Sequence, residues 1–302
     1  MPPVALRPVT TQAGVLRAIV LCVVAYGLIA VSDVFAKLSL ERHGVGDLLL
    51  VRGLLGTLLL GAVASWKSGP RVLWPRRPRP MLLRSVLHSL ASACWYYAFA
   101  RMSLADAYAL GYATPLLMTL LAIPMLGEQV GWRRWASTLV GFMGVLVMVR
   151  PGGAFWTPVV LVLFAGVVLV AITRIMARQL VQTERVDAIV FWMLALHIPF
   201  GAVWVLFTGM VAPDLVSSGA FLGMAITNIV GHMVLTRAYA LSPLSILAPY
   251  EYTTFLWALG FGAVLWGETP EMVTLLGGAI VVAAGLYNLH RERLRRRQEL
   301  AA

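Results

Sequence analysis

Four charged side chains stand inside apolar runs that offer them no water. Asp33 and Lys37 lie four apart in the first run, Arg52 enters the second, and Glu251 falls between Tyr250 and Tyr252, just after Pro249. Charges in such places usually face a bundle interior or a water-filled cavity, because lipid does not solvate them. On a helix, Asp33 and Lys37 share one face. With Arg52 at a similar depth they form either a gate or a site for a charged substrate group. An ion-pair cluster securing two helix ends near the headgroups accounts for them equally well. Glu251 is better placed for chemistry. The preceding proline lacks a backbone donor and opens the helix toward a cavity. A carboxylate there can bind a cation or exchange a proton; its alternative use is an internal salt bridge to an arginine.

Polar pairs repeat the theme. His88 and Ser92 are spaced i and i+4 in the third apolar run, as are Asn228 and His232 in the eighth. Each pair occupies one helical face, and lining a cavity or hydrogen bonding between helices are both open to it. His197 stands alone in its run and reads as a packing histidine. Trp95, Tyr96 and Tyr97 fit an interfacial aromatic belt. Tyr108, Tyr112, Tyr250, Tyr252 and Trp257 lie deeper, where paired aromatic faces suit an aromatic or cationic ligand and ordinary packing is the alternative. No Ser-His-Asp set, HExxH, Walker loop or CxxC is present, so no catalytic group, metal site or cofactor is expected. Cys22 and Cys94 lie in separate apolar runs and read as packing residues.

The elements that hold these residues follow from composition. The chain has 302 residues, 60% of them hydrophobic and 12% charged, with mean hydropathy +0.84. So few charges do not cover a soluble core, and lipid must be the solvent. Continuous runs such as 159–172 and 255–265 exclude the alternation of a transmembrane barrel. Gly, Pro and charge clusters divide the chain into ten predicted spans: 16–38, 47–66, 81–101, 105–126, 132–150, 157–174, 187–208, 218–237, 243–266 and 272–290. The first contains Asp33 and Lys37 and has no cleavage site after it, so it reads as a permanent helix, not a signal peptide. With the N-terminus cytoplasmic, all but five of the 24 Lys and Arg fall inside; Lys37, Arg42, Arg52, Arg101 and Arg150 fall outside. Both termini are therefore expected in the cytoplasm. The net charge of +11 reads as topology and attraction to anionic lipid, without a nucleic-acid partner.

Shifted by 140 positions, the chain matches itself. Ala98, Ala100, Leu104, Tyr112, Thr114, Leu116, Gly127 and Glu128 fall on Ala238, Ala240, Leu244, Tyr252, Thr254, Leu256, Gly267 and Glu268. Five spans per half is an odd number, so the two halves enter the membrane in opposite directions. The expectation is an all-α integral membrane protein with ten transmembrane helices in two inverted five-helix repeats. The repeats cover 14–151 and 155–290, and a basic cytoplasmic tail covers 291–302. The two Gly-Glu pairs read as helix caps. Gly111 stands opposite Glu251, and His88 opposite Asn228, where the halves have diverged.

Several stretches stand out as motifs. In the first half they are Gly127-Glu128-Gln129-Val130-Gly131-Trp132-Arg133-Arg134-Trp135, Val140-Gly141-Phe142-Met143-Gly144-Val145 and Arg150-Pro151-Gly152. In the second they are Ala248-Pro249-Tyr250-Glu251-Tyr252, Trp257 and Gly267-Glu268. Together they resemble the drug/metabolite transporter superfamily, in particular its ten-helix members with two EamA domains. Asp33-Val34-Phe35-Ala36-Lys37 with Arg52 is similar to members that move S-adenosylmethionine or riboflavin. The resemblance implies a secondary transporter of a small organic metabolite in the inner membrane, working by alternating access. Proton coupling and exchange are both open, and amino acids join S-adenosylmethionine-like and riboflavin-like compounds as substrates. The expected partners are that small molecule and membrane lipid, with the chain a monomer or homodimer. A non-transporting receptor or scaffold is the alternative, and an intramembrane enzyme a more distant one. The site is expected among the first, third, fourth, sixth, eighth and ninth spans.

Overall fold

The computed structural model describes residues 12–126, 132–149, 157–242, 247, 250, 251, 253–268, 271–273, 275–280, 282–284, 286 and 287. Those residues are helical throughout their regular structure. In chain order the helices are α1 (Gln12–Leu40), α2 (Val45–Ser68), a 3₁₀ turn (Pro70–Leu73), α3 (Pro78–Phe99), α4 (Leu104–Gly111), α5 (Ala113–Leu126) and α6 (Trp132–Val149). There follow α7 (Pro158–Leu180), α8 (Val186–Ala195), α9 (His197–Thr208), α10 (Leu215–Leu241) and α11 (Thr253–Trp266). A shorter apolar helix covers Leu275–Ala284.

Among the described residues, five segments are long and apolar enough to cross a membrane: Gly14–Leu40, Val45–Ser68, Pro158–Leu180, Val186–Thr208 and Leu215–Leu241. The fourth of these is α8 and α9 with a one-residue break. A similar break separates α4 from α5. Each lies just before a proline, Pro115 or Pro199, which supplies no amide hydrogen to the carbonyl four residues back. The expected fourth and seventh spans are therefore broken helices. Of the expected ninth span, 243–266, the described residues are helical at Leu247, in a 3₁₀ turn at 250–251 and in α11 from Thr253.

Local chemistry sets the helix starts. Asp47, three residues into α2, accepts the Gly44 amide at 3.0 Å. Ser103 accepts the Asp106 amide at 3.0 Å before α4, and Asp214 accepts the Ser217 amide at 2.7 Å before α10. The Ser217 backbone and side-chain donors, aided by Arg42 at 2.8 Å, hold Asp214 below the ordinary carboxylate range. Gly267, at φ +64, closes α11 in the left-handed conformation, as a glycine cap requires.

The duplication is visible in the helices themselves. α5 and α11 each have 14 residues, and both their starts and their ends lie 140 positions apart. α1 and α7 end 140 apart, at Leu40 and Leu180. Packing follows the same exchange. The most extensive contacts join α1 to α10 and α3 to α7, which swap places when the halves are interchanged. α2 packs on α8 and α9, a pairing that the interchange leaves unchanged, and α4 packs on α11. Close approach makes these crossings possible. A Cβ at Gly201 would lie 2.3 Å from the Leu50 amide nitrogen, so only glycine admits α9 against α2.

Outside, large apolar side chains such as Leu58, Leu206, Phe207 and Val264 are exposed, as lipid contact demands. The two largest buried clusters among the described residues form most of the inside. One gathers Leu48, Phe99, Leu104, Leu163 and Phe221; the other gathers Cys22, Ala25, Ile175, Leu235 and Tyr239. Polar side chains occupy the space between them.

Candidate functional site

A cavity of about 120 Å³ lies between the two halves, lined from both. Four-residue spacing builds its walls. On α3 the ladder is Arg84, His88, Ser92 and Tyr96; on α10 it is Asn228, His232 and Thr236. Tyr26, Ile29 and Asp33 face it from α1, Tyr108 from α4, Thr173 and Arg174 from α7, and Thr254 from α11. Glu251 enters from the 3₁₀ turn. Three arginines line this space against two carboxylates.

At one end, Asp33 accepts the Tyr108 hydroxyl at 2.5 Å. Arg52, 4% exposed, donates to the Tyr96 hydroxyl and, at 2.8 Å, to Asn228 Oδ1. Asn228 continues to Ser32 at 3.3 Å, which donates to the Met224 carbonyl. Trp95 and Phe99 stack edge-on against this network, with ring centroids 5.6 Å apart, and Trp95 lies 5.8 Å from Tyr108. The result is an aromatic wall with one carboxylate and one guanidinium set into it.

The other end is more basic. Arg174 donates to Glu251 Oε2 and sits 5.5 Å from the Tyr26 ring. One turn on, Arg178 is buried and donates to the Tyr239 carbonyl. Arg84, also buried, donates to the Thr173 carbonyl at 3.4 Å and the Ile189 carbonyl at 3.3 Å. Buried charges of this kind carry a heavy desolvation cost unless paired. Between the two ends, His88 lies 5.4 Å from His232 and 5.6 Å from His197, ring to ring. Among the described residues no group of three His, Cys, Asp or Glu is arranged to hold a metal ion.

Most of the residues singled out from sequence come together here. Asp33, Arg52, His88, Ser92, Tyr108, Tyr112, Asn228, His232 and Glu251 all line the cavity. Others do not. Lys37 does not meet Asp33; it turns to Glu268 at 2.5 Å, away from the cavity. Tyr250 packs on the cluster around Cys22 and Leu247. Trp257 is 43% exposed and stacks on Phe261 at 6.0 Å, outside the cavity. Tyr252, Pro249, the Gly127-Glu128 pair, Arg150-Pro151-Gly152 and the 291–302 tail lie outside the described residues. His197 is fully buried and holds the Met193 carbonyl at 2.6 Å and Ser92 at 3.1 Å, as a packing histidine does. Trp95 and Tyr96 belong to the cavity wall and not to an interfacial belt. Tyr97 lies under the Arg101 guanidinium at 3.8 Å.

Sequence reasoning passed over Arg84, Arg174 and Arg178, which it spent on membrane orientation. A signal for the first was present: Arg84 heads the same i, i+4 ladder as His88 and Ser92.

Comparison with known proteins agrees with this architecture. A crystal structure 17% identical in sequence superimposes with a TM-score of 0.70, over 92% of this chain and 98% of the other, and so shares the fold. The pseudopaline exporter CntI of Pseudomonas aeruginosa is 28% identical over 269 residues, 88% of this chain and 93% of its own. The riboflavin transporter of Rhizobium johnstonii is 29% identical over 72% of each chain. The S-adenosylmethionine uptake transporter of Rickettsia prowazekii is 25% identical over 74% of this chain and 76% of its own. The EamA-like transporter family profile matches twice, at 16–150 and 157–289. With two such repeats spanning nearly its whole length, the chain belongs to the EamA-like transporter family.

Proposed function

We propose that this protein is a secondary transporter in which two inverted halves rock about the cavity by alternating access. As a small-metabolite transporter of the drug/metabolite type and a multi-pass membrane protein, it agrees with its relatives. In this reading ten spans cross the inner membrane. α4 with α5 and α8 with α9 each form one broken span, and 272–290 forms the last. Both termini are cytoplasmic, which places Arg84, Arg174 and Glu251 toward the cytoplasm and Asp33, Arg52 and Tyr108 toward the outside. The repeats take the bounds 14–151 and 155–290.

The observation that carries this reading is the charged cavity between the halves, with hydrogen bonds running across the interface from α1, α2 and α3 to α7 and α10. A receptor or scaffold has no use for buried charge at that interface. Asp33, Arg52, His88, Ser92, Tyr108, Tyr112, Asn228, His232 and Glu251 form the substrate site, and Lys37 with Glu268 forms an outer gate. The relatives named for pseudopaline, riboflavin and S-adenosylmethionine support an organic metabolite as cargo. Glu251 provides a proton site if opening of the Arg174 pair accompanies the rocking motion. The test is counterflow in proteoliposomes with amino acids, S-adenosylmethionine, riboflavin and nucleosides. Uptake of one class is expected. If folded protein moves none of them under any ion gradient, the transporter reading fails.

A further inference from the structure

We propose that the transported metabolite carries an anionic group, a carboxylate or a phosphate, and that Arg84 is its counter-ion. This rests on the transporter reading and names the chemistry of its cargo. Arg84 is only 4% exposed and borders the cavity. Its contacts are two carbonyls at 3.4 and 3.3 Å and the Met193 sulfur at 3.8 Å. All three are longer than good hydrogen bonds, and none neutralises the charge. Among the described residues no carboxylate pairs with it.

Among the described residues, Arg174 alone of the neighbouring cations has a carboxylate partner. Arg174 has Glu251, and Arg52 has Tyr96 and Asn228. Arg178, one turn from Arg174, has a carbonyl. This end of the cavity therefore holds Arg84 and Arg174, with Arg178 buried one turn away, against one carboxylate. A low-dielectric cleft with one sign of excess charge concentrates ions of the other sign. A guanidinium fork matches carboxylate and phosphate through paired N–H donors. An unpaired buried charge lowers stability, so its presence calls for a partner that arrives and leaves. At the far end Asp33, Trp95, Phe99 and Tyr108 offer an aromatic and acidic surface to the remainder of the molecule.

A structural tether is the competing explanation, since Arg84 reaches from α3 to both α7 and α8. Two measurements on the full chain separate the two. The first is counterflow with compounds that differ by one anionic group: aromatic amino acids against their amides, riboflavin against its 5′-phosphate, nucleosides against nucleotides. The anionic member of a pair should be moved about ten-fold better or more. The second is Arg84→Met, which should lose transport of that anionic compound by a similar factor while unfolding at the same or a higher temperature. Arg84→Lys should recover part of the transport. The proposal is overturned if the neutral or cationic member is preferred, if Arg84→Met transports the anion like the parent, or if Arg84→Met unfolds at lower temperature. If the parent protein moves no compound in the panel, the transporter reading falls first and takes this proposal with it.

Discussion

Lys37 Nζ lies 2.5 Å from Glu268 Oε1, joining the last turn of α1 to the turn that closes α11, 231 positions away. The pair is mostly shielded, at 12% and 22% side-chain exposure. Trp266 completes the junction, its ring 4.7 Å from Lys37 and its indole donating to Glu41 at 3.1 Å. A single ion pair that reversible motion must break should be modest in strength. A double-mutant cycle of Lys37→Met and Glu268→Gln, read by thermal unfolding, should give a coupling of about 1 kcal/mol. The single variants should also speed hydrogen exchange at the end of α11. A coupling indistinguishable from zero would remove the junction from any gating scheme.

Glu251 and Arg174 make the opposite case, a pair whose loss should be severe. Glu251→Gln leaves the Arg174 guanidinium inside the bundle with no carboxylate. The expected loss is about 3–5 kcal/mol of unfolding stability. Adding Arg174→Met should restore most of it, because the stranded charge is then gone. Transport provides an independent readout. If Glu251→Gln, once folded, leaves both the rate and its pH dependence unchanged, Glu251 has no part in proton coupling.

These two pairs show what the sequence could and could not disclose. The 140-residue offset was legible end to end, because helix length and helix ends repeat with it. The cavity's third- and eighth-helix faces were legible as i, i+4 polar pairs. The partners were not. Asp33 and Lys37 have the spacing to meet, yet each finds a better partner across the bundle, Tyr108 and Glu268. Spacing reports only which side chains share a face, whereas burial selects the pairing that removes most charge from lipid. The arginines misled for a related reason. The basic-residue rule assigns Arg84, Arg174 and Arg178 to a membrane edge, but α7 runs on to Leu180 and carries the last two inward. Tyr250 and Trp257 stand close in sequence to the cavity-lining Glu251 and Thr254, yet they pack on the cluster around Leu247 and on Phe261.

The crossing of α2 and α9 should tolerate no added carbon. A Cβ at Gly201 would stand 2.3 Å from the Leu50 nitrogen and 2.6 Å from its Cα. Backbone cannot rotate away, so Gly201→Ala should cost about 1–3 kcal/mol by forcing the helices apart. Gly260 and Gly219 serve as controls, since nothing lies within 4 Å of a Cβ at either. Alanine there should hold stability constant or raise it by up to about 1 kcal/mol. Equal effects at Gly201 and Gly260 would mean that the two helices do not pack this closely.

Two histidines 5.6 Å apart should respond differently to the same substitution. His197 is fully buried and fixed by Met193, Ser92 and Ser89, so His197→Ala opens a void and takes the imidazole partner from the buried Ser92 hydroxyl. Its loss should be about 2–4 kcal/mol, seen as a lower unfolding temperature whether or not substrate is present. His88 faces the cavity, and its Nε2 has no hydrogen-bond partner among the described residues. His88→Ala should therefore change stability by less than about 1 kcal/mol while weakening substrate stabilisation about ten-fold. The measurement is the unfolding midpoint of both variants across a titration of whichever compound gives counterflow. If His88→Ala is the more destabilised of the two and binds that compound normally, His88 holds the bundle together and the cavity's centre does not contact the cargo.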